Sequence, residues 1–255
     1  MKEIVLRAEQ LSLSFGGLRA VQNVNFHIRK NQIVGLIGPN GAGKTSIFNL
    51  LTGVYPPEDG DILLNDKSLR GKKTYQINRM GVARTFQNIR LFKDLTVIDN
   101  IKIAMGKDMK YSVLSGVFRL PGYQKEERAI SHAAHELLAH MGLDDKAHEL
   151  ARNLPYGQQR KLEILRALAS KPSVLLLDEP AAGMNPTETQ ELLDTVQMLQ
   201  KEYELSVLLI EHDMNFVMGI CEYIFVLDYG SIIAAGEPEE IRNNPKVIAA
   251  YLGGE

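Results

Sequence analysis

The eight residues Gly38-Pro39-Asn40-Gly41-Ala42-Gly43-Lys44-Thr45 satisfy the pattern G-x-x-x-x-G-K-[ST] in full. Glycines in such a loop let backbone N–H groups turn inward around a phosphate without Cβ clashes, and a helix that follows points its positive end at the same anion. Lys44 can reach the terminal phosphates of a nucleotide as a mobile point charge, and Thr45 offers a hydroxyl to Mg2+. A second reactive pair, Asp178-Glu179, closes the apolar run Val174-Leu175-Leu176-Leu177. Carboxylates at the C-terminal edge of a parallel strand lie where ligands bind in open α/β sheets. There Asp178 can hold Mg2+ through water, and Glu179 can polarise an attacking water. Alone, that segment would read as a solvated acidic turn; the phosphate loop upstream supplies its partner.

The elements around these groups are of the kind that would position them. Ile33-Val34-Gly35-Leu36-Ile37 is nearly continuously apolar, as a strand buried on both faces should be, and it runs straight into the glycine-rich loop. Ile47, Phe48, Leu50 and Leu51 then follow at helical spacing. Ahead of that strand, Leu6–Phe15 and Val24–Ile28 alternate around the Gly16-Gly17 break, which predicts antiparallel strands with one wet face. From about Asn88 to Asn153 the chain turns polar and helical: Ala129, Ile130, Ala133, Leu137, Leu138 and Met141 predict an amphipathic helix over Glu126–Gly142. Lys107–Gln124, with its Pro121-Gly122 turn, reads as irregular. After Ser170 the apolar strands return at Val174–Leu177, Val207–Ile210 and Ile224–Leu227, separated by helical stretches such as Thr187–Tyr203. Pro238–Leu252 reads as two short helices split at Asn244-Pro245. The fold class is α/β, a mostly parallel sheet covered on both faces and interrupted by a mainly helical subdomain.

Composition narrows the possible functions. The 255 residues carry 29 Lys and Arg against 31 Asp and Glu, a net charge of −2, which removes the usual electrostatic reason for a dedicated nucleic-acid binder. With a single cysteine, Cys221, neither an internal disulfide nor a zinc cluster can be built, and a reducing intracellular compartment is expected. No apolar stretch approaches the ~18 residues of a membrane span. Glu3 and Arg7 interrupt what would have to be a signal-peptide core.

The ordered set Gly38–Thr45, Gln87, Leu154-Pro155-Tyr156-Gly157-Gln158, Leu177-Asp178-Glu179-Pro180 and Glu211-His212-Asp213 resembles the ATP-binding subunits of ABC transporters over nearly the whole chain. Three stretches are similar to the LivG-type subunits of branched-chain amino-acid importers: Arg84-Thr85-Phe86-Gln87 with Arg90-Leu91-Phe92, Pro180–Pro186, and Asn243-Asn244-Pro245 with Tyr251-Leu252-Gly253. The resemblance implies a P-loop NTPase (RecA-like) core with an antiparallel β subdomain, built from residues 1–87 and 154–255, and an inserted helical subdomain over 88–153.

The same resemblance implies the site. ATP and Mg2+ are the cofactors; Gly38 through Ser46 contact the phosphates, with Thr45, Gln87 and Asp178 at the metal. Phe15, in the loop before the second strand, would stack on adenine, and Val21 would pack beside it. Lys44, Gln87, Glu179 and His212 are the catalytic set, with Glu179 activating water. Gly157 and Gln158 belong to a signature whose family pattern, Leu-Ser-Gly-Gly-Gln, is altered here: Pro155 and Tyr156 stand for the serine and first glycine. Proline is tolerated in a first turn, so the anion-facing helix end should still form. That signature would complete the ATP site of a second ATP-binding subunit. The other implied partners are two integral membrane permease subunits and, indirectly, a periplasmic or extracellular substrate-binding protein, with no nucleic acid. The implied location is the cytoplasmic face of the inner membrane.

Three other readings stay open. Urea or short-amide importers and lipopolysaccharide-type exporters use closely similar ATPases. A soluble ABC-type ATPase acting on DNA or ribosomes is opposed by the near-neutral charge and the short 88–153 segment. A module that holds ATP without hydrolysing it is opposed by the intact Asp178-Glu179 and His212.

Overall fold

The computed structural model describes residues 2–106 and 121–252 and divides into two compact units, residues 1–87 with 172–255 and residues 88–171. The first unit opens with the predicted antiparallel pair, β1 (Ile4–Phe15) and β2 (Leu18–Arg29). β3 (Ile33–Ile37) leads through the glycine-rich loop to α1 (Lys44–Leu51). β4 (Asp59–Leu64), β5 (Lys67–Ser68), α2 (Thr74–Met80) and β6 (Val82–Arg84) complete the N-terminal part.

The chain re-enters this unit with β7 (Val174–Asp178) and β8 (Ser206–Ile210), then β9 (Tyr223–Asp228) and β10 (Ser231–Gly236). Four strands form an antiparallel sheet in the order β2-β1-β4-β5, and six form a second sheet in the order β10-β9-β3-β8-β7-β6. All neighbours in the second sheet run parallel except β10, which returns antiparallel along β9. Every residue of β3, β7 and β8 is buried, which is why these strands read as unbroken apolar runs. One hydrophobic cluster joins residues of both sheets, among them Leu6, Phe26, Leu36, Leu176 and Phe225, with Phe48 of α1.

The second unit contains α3 (Val97–Met105), α4 (Pro121–His140) and α5 (Tyr156–Leu168). α4 begins at Pro121, where a turn is expected from sequence. A proline lacks only an N–H that a first helical turn would leave unpaired, so Pro121-Gly122 starts the helix. Residues 107–120 of the stretch read as irregular lie outside the described residues, as does Gly253. Leu162, Leu165 and Leu168 of α5 are buried, and this unit runs on to Lys171, whereas the sequence predicts its end at Asn153. α5 packs on α3 and α4.

In the first unit, α6 (Pro186–Glu202) and α7 (Met214–Ile220) separate the late strands. α8 (Pro238–Arg242) and α9 (Pro245–Leu252) form the two tail helices, divided at Asn244-Pro245 as expected. No helix among the described residues is long and apolar enough to cross a membrane.

Candidate functional site

Sheet order assembles the site. β3 lies beside β8, and β8 beside β7, with Leu36 opposite Ile210 and Asp178 opposite Ile210. The segments leaving the C-terminal ends of adjacent parallel strands, ~5 Å apart, are therefore the phosphate loop, Glu211-His212 and Glu179. β6 adds the fourth edge, from which the chain continues to Gln87.

The loop between β3 and α1 is held too close to its neighbours for side chains at two positions. Gly38 has φ 151°, and a Cβ there would collide with the Leu227 carbonyl; Gly43 has φ 106°, and a Cβ would meet the carbonyl oxygen of Ala20. α1 starts immediately after, so its unpaired first-turn N–H groups face the loop. Ala42 is buried, whereas Asn40, Gly41 and Thr45 are exposed and Pro39 and Ser46 partly so. The Lys44 ammonium donates to the carbonyls of Gly38 (2.6 Å) and Pro39 (2.9 Å). Burial lowers its pKa, while Glu179 and Asp178 pull it back up. A groove of about 990 Å3 borders the loop, its walls including Asn40, Gly41, His212, Tyr229 and Tyr251.

Glu179 adopts φ 45°, a left-handed conformation that costs a non-glycine residue energy and is held by the Glu179 N–H bonding the Ile210 carbonyl at 2.9 Å. Gln87 Nε2 donates to Glu179 Oε2 at 2.6 Å, and His212 Nδ1 stands 3.9 Å from the same oxygen. The His212 side chain is 62% exposed, open to a ligand in front of it. Lys44, Gln87, Glu179 and His212 are thus gathered at one edge of the sheet. Asp178 Oδ2 is engaged by Arg84 at 2.6 Å, so an aqueous contact to a metal would use the other carboxylate oxygen.

Two expected nucleotide contacts sit differently. Phe15 closes β1 rather than standing in a loop; it is 43% exposed and packs edge-on to Tyr55, ring centroids 5.1 Å apart. Val21 is 1% exposed inside the core cluster, because a register shift between its pairing with Leu13 and that of Val24 with Leu11 breaks the alternation of β2 and turns it inward; its side chain offers no surface to a base. Gly157 and Gln158 lie in the first turn of α5, whose N-cap is Pro155 at φ −54°, and Gln158 accepts a hydrogen bond from Lys146 at 2.8 Å.

Glu211 and Arg84 have no role that the sequence predicts. Glu211 is buried and accepts from the N–H groups of Ala181 (2.9 Å) and His212 (3.1 Å), joining the turn after Glu179 to the histidine. Burial pushes its carboxyl up, and those hydrogen bonds oppose the shift. The only sequence signal for either residue is adjacency to a motif.

Residues 21–182 match the family described as ABC transporter, and residues 231–255 match that described as branched-chain amino acid ATP-binding cassette transporter. The chain is 48% identical over 253 residues to the high-affinity branched-chain amino acid transport ATP-binding protein LivG of Escherichia coli, covering 99% of both. It is 46% identical over 254 residues to the corresponding protein BraF of Pseudomonas aeruginosa, again covering 99% of both. A crystal structure of the ADP conformation of an ATP-binding cassette of an ABC transporter superposes over 100% of both chains with a TM-score of 0.86 at 29% identity. The chain belongs to the ABC transporter family, as one of its ATP-binding, ATPase subunits.

Proposed function

We propose that this chain powers a branched-chain amino-acid importer from the cytoplasmic face of the membrane, as one of two ATP-binding subunits seated on two integral permease subunits. A periplasmic or extracellular substrate-binding protein would act on the assembly indirectly. The likeness that carries this reading is full-length: it runs through the C-terminal residues 231–255 as well as the phosphate loop.

In this reading the loop N–H groups and Lys44 hold the nucleotide phosphates, and Phe15 stacks on adenine through its exposed face. Among the described residues no three His, Cys, Asp or Glu side chains form a metal cluster, so a divalent cation would take much of its coordination from phosphates. Thr45, Gln87 and Asp178 are hard oxygen donors of the kind Mg2+ prefers, and the bound ion would neutralise phosphate charge. Glu179 accepts the proton of the attacking water, Gln87 keeps that carboxylate aimed, and His212 faces the terminal phosphate. Gly157 and Gln158 complete the site of the second ATP-binding subunit. ATP closes the pair and hydrolysis reopens it.

The test is an affinity capture of the tagged chain from detergent-solubilised membranes, with partners identified by mass spectrometry. Two integral membrane proteins and a second ATP-binding subunit are expected. Recovery of ribosomes, of DNA, or of nothing from a clean membrane fraction would refute the transporter reading.

A further inference from the structure

We propose that Arg84 is a positioning residue for ATP hydrolysis, orienting the Asp178 carboxylate for a phosphate-bound divalent cation and tying it to the helix behind the phosphate loop. The inference rests on the proposed placement of Asp178 at the metal. Arg84 ends β6, three residues before Gln87. Its guanidinium donates to Asp178 Oδ2 at 2.6 Å through one terminal nitrogen and to Asn49 Oδ1 at 2.8 Å through the other. It lies 5.4 Å from the Phe48 ring centroid and 5.0 Å from that of Phe86. Phe48 and Asn49 belong to α1, which begins at Lys44. One planar group therefore cross-links the phosphate-loop helix, the strand that leads to Gln87 and the strand that ends in Asp178.

A purely structural role explains this arrangement poorly. The Arg84 and Asp178 side chains are both only 7% exposed, and a buried ion pair gives little net stability over a well-packed apolar pair. Among the described residues Arg84 Nε has no hydrogen-bond partner, a further cost. The docking of β6 on β7 is already secured by the backbone: Val82, Ala83 and Arg84 register with Val174, Leu175 and Leu176, and Thr85 N–H bonds the Leu176 carbonyl at 2.9 Å. What the guanidinium adds is directional. It occupies one carboxylate oxygen and balances the charge of Asp178, while Lys44 stays on the loop carbonyls. A lysine at position 84 would keep the charge but not the two-way planar bridge.

The experiment titrates a fluorescent ATP analogue onto the purified full chain, first in EDTA and then across Mg2+ concentrations. Arg84→Met should raise the Mg2+ concentration for half-maximal gain in affinity by about 10–100-fold, the usual range for an outer-shell partner of a metal-binding carboxylate. Metal-free affinity should stay within about twofold, and Arg84→Lys should recover only part of the shift. Asp178→Asn should produce a loss at least as large, with Arg84→Met adding nothing on top of it. A shift with Asp178→Asn but none with Arg84→Met overturns the role of Arg84 alone. No shift with Asp178→Asn overturns the metal placement and this inference together. If Arg84→Met does not fold, Asn49→Ala cuts the tether and spares the ion pair; an unchanged Mg2+ dependence there overturns the proposal equally.

Discussion

Replacing Glu179 by glutamine separates chemistry from binding at this site. The substitution keeps the side chain's shape, and the backbone features that hold it, φ 45° and the 2.9 Å bond from its N–H to Ile210, do not depend on the carboxylate. Gln87 donates to Glu179 Oε2 at 2.6 Å, and the remaining amide oxygen can still accept that bond. What disappears is the negative charge and the capacity to take a proton. A positioned general base contributes ~10²–10⁴-fold, which corresponds to about 2.7–5.4 kcal/mol of barrier. The loss should fall on turnover. Affinity for the anionic nucleotide should hold or rise, since one negative charge near Lys44 is gone. The assay is phosphate release at saturating MgATP from the assembled transporter with the second ATP site silenced, alongside equilibrium nucleotide binding. Turnover within about threefold of wild type would refute the role of Glu179, because no general base is worth so little. A loss of nucleotide binding equal to the loss of turnover would refute the geometry instead.

Other outcomes follow from single contacts. Lys44→Ala should abolish tight MgATP binding in a titration while leaving the fold intact, because among the described residues the ammonium bonds only loop carbonyls. Gly43→Ala should disrupt the loop outright, its new Cβ meeting the Ala20 carbonyl at a residue with φ 106°; a thermal melt and a nucleotide titration would both register the loss. Cys221 is buried and its thiol pushed well above the ordinary range by that burial, so a thiol reagent at pH 8 should label it only under denaturing conditions. For Glu211 the folded carboxyl is raised above its unfolded value, so the native state binds the extra proton and stability falls as pH rises through that window. Glu211→Gln should flatten this slope in denaturant melts run from pH 4 to 7; an unchanged slope would count against the burial of a charged group there.

Local chemistry was legible in the chain wherever one residue's environment is set by its near neighbours. The phosphate loop, the strand before it and the helix after it form one contiguous stretch, and Asp178-Glu179 ends a run whose five residues are all buried. Pro121 and Val21 show where that locality fails. The helix beginning at Pro121 could be mistaken for a turn because proline suits both. Val21 sits in a strand whose first residues are exposed, and only the bulged pairing of β1 with β2 decides which side of the sheet it faces.

Strand order was the larger gap. β8, late in the chain, inserts between β3 and β7, and this insertion brings His212 to 3.9 Å from Glu179. Nothing in the spacing of Lys44, Glu179 and His212 states that order, because right-handed crossovers allow several parallel arrangements of the same segments. Arg84 and Glu211 were hidden for the same reason. A charged residue beside a motif reads as solvated surface until the sheet order shows that its neighbours are Asp178 and Asn49, or Ala181 and His212. Once buried, such a group needs those partners, since an unpaired charge there costs several kcal/mol. These two residues are therefore where altered chemistry should be sought when the motif residues themselves are intact.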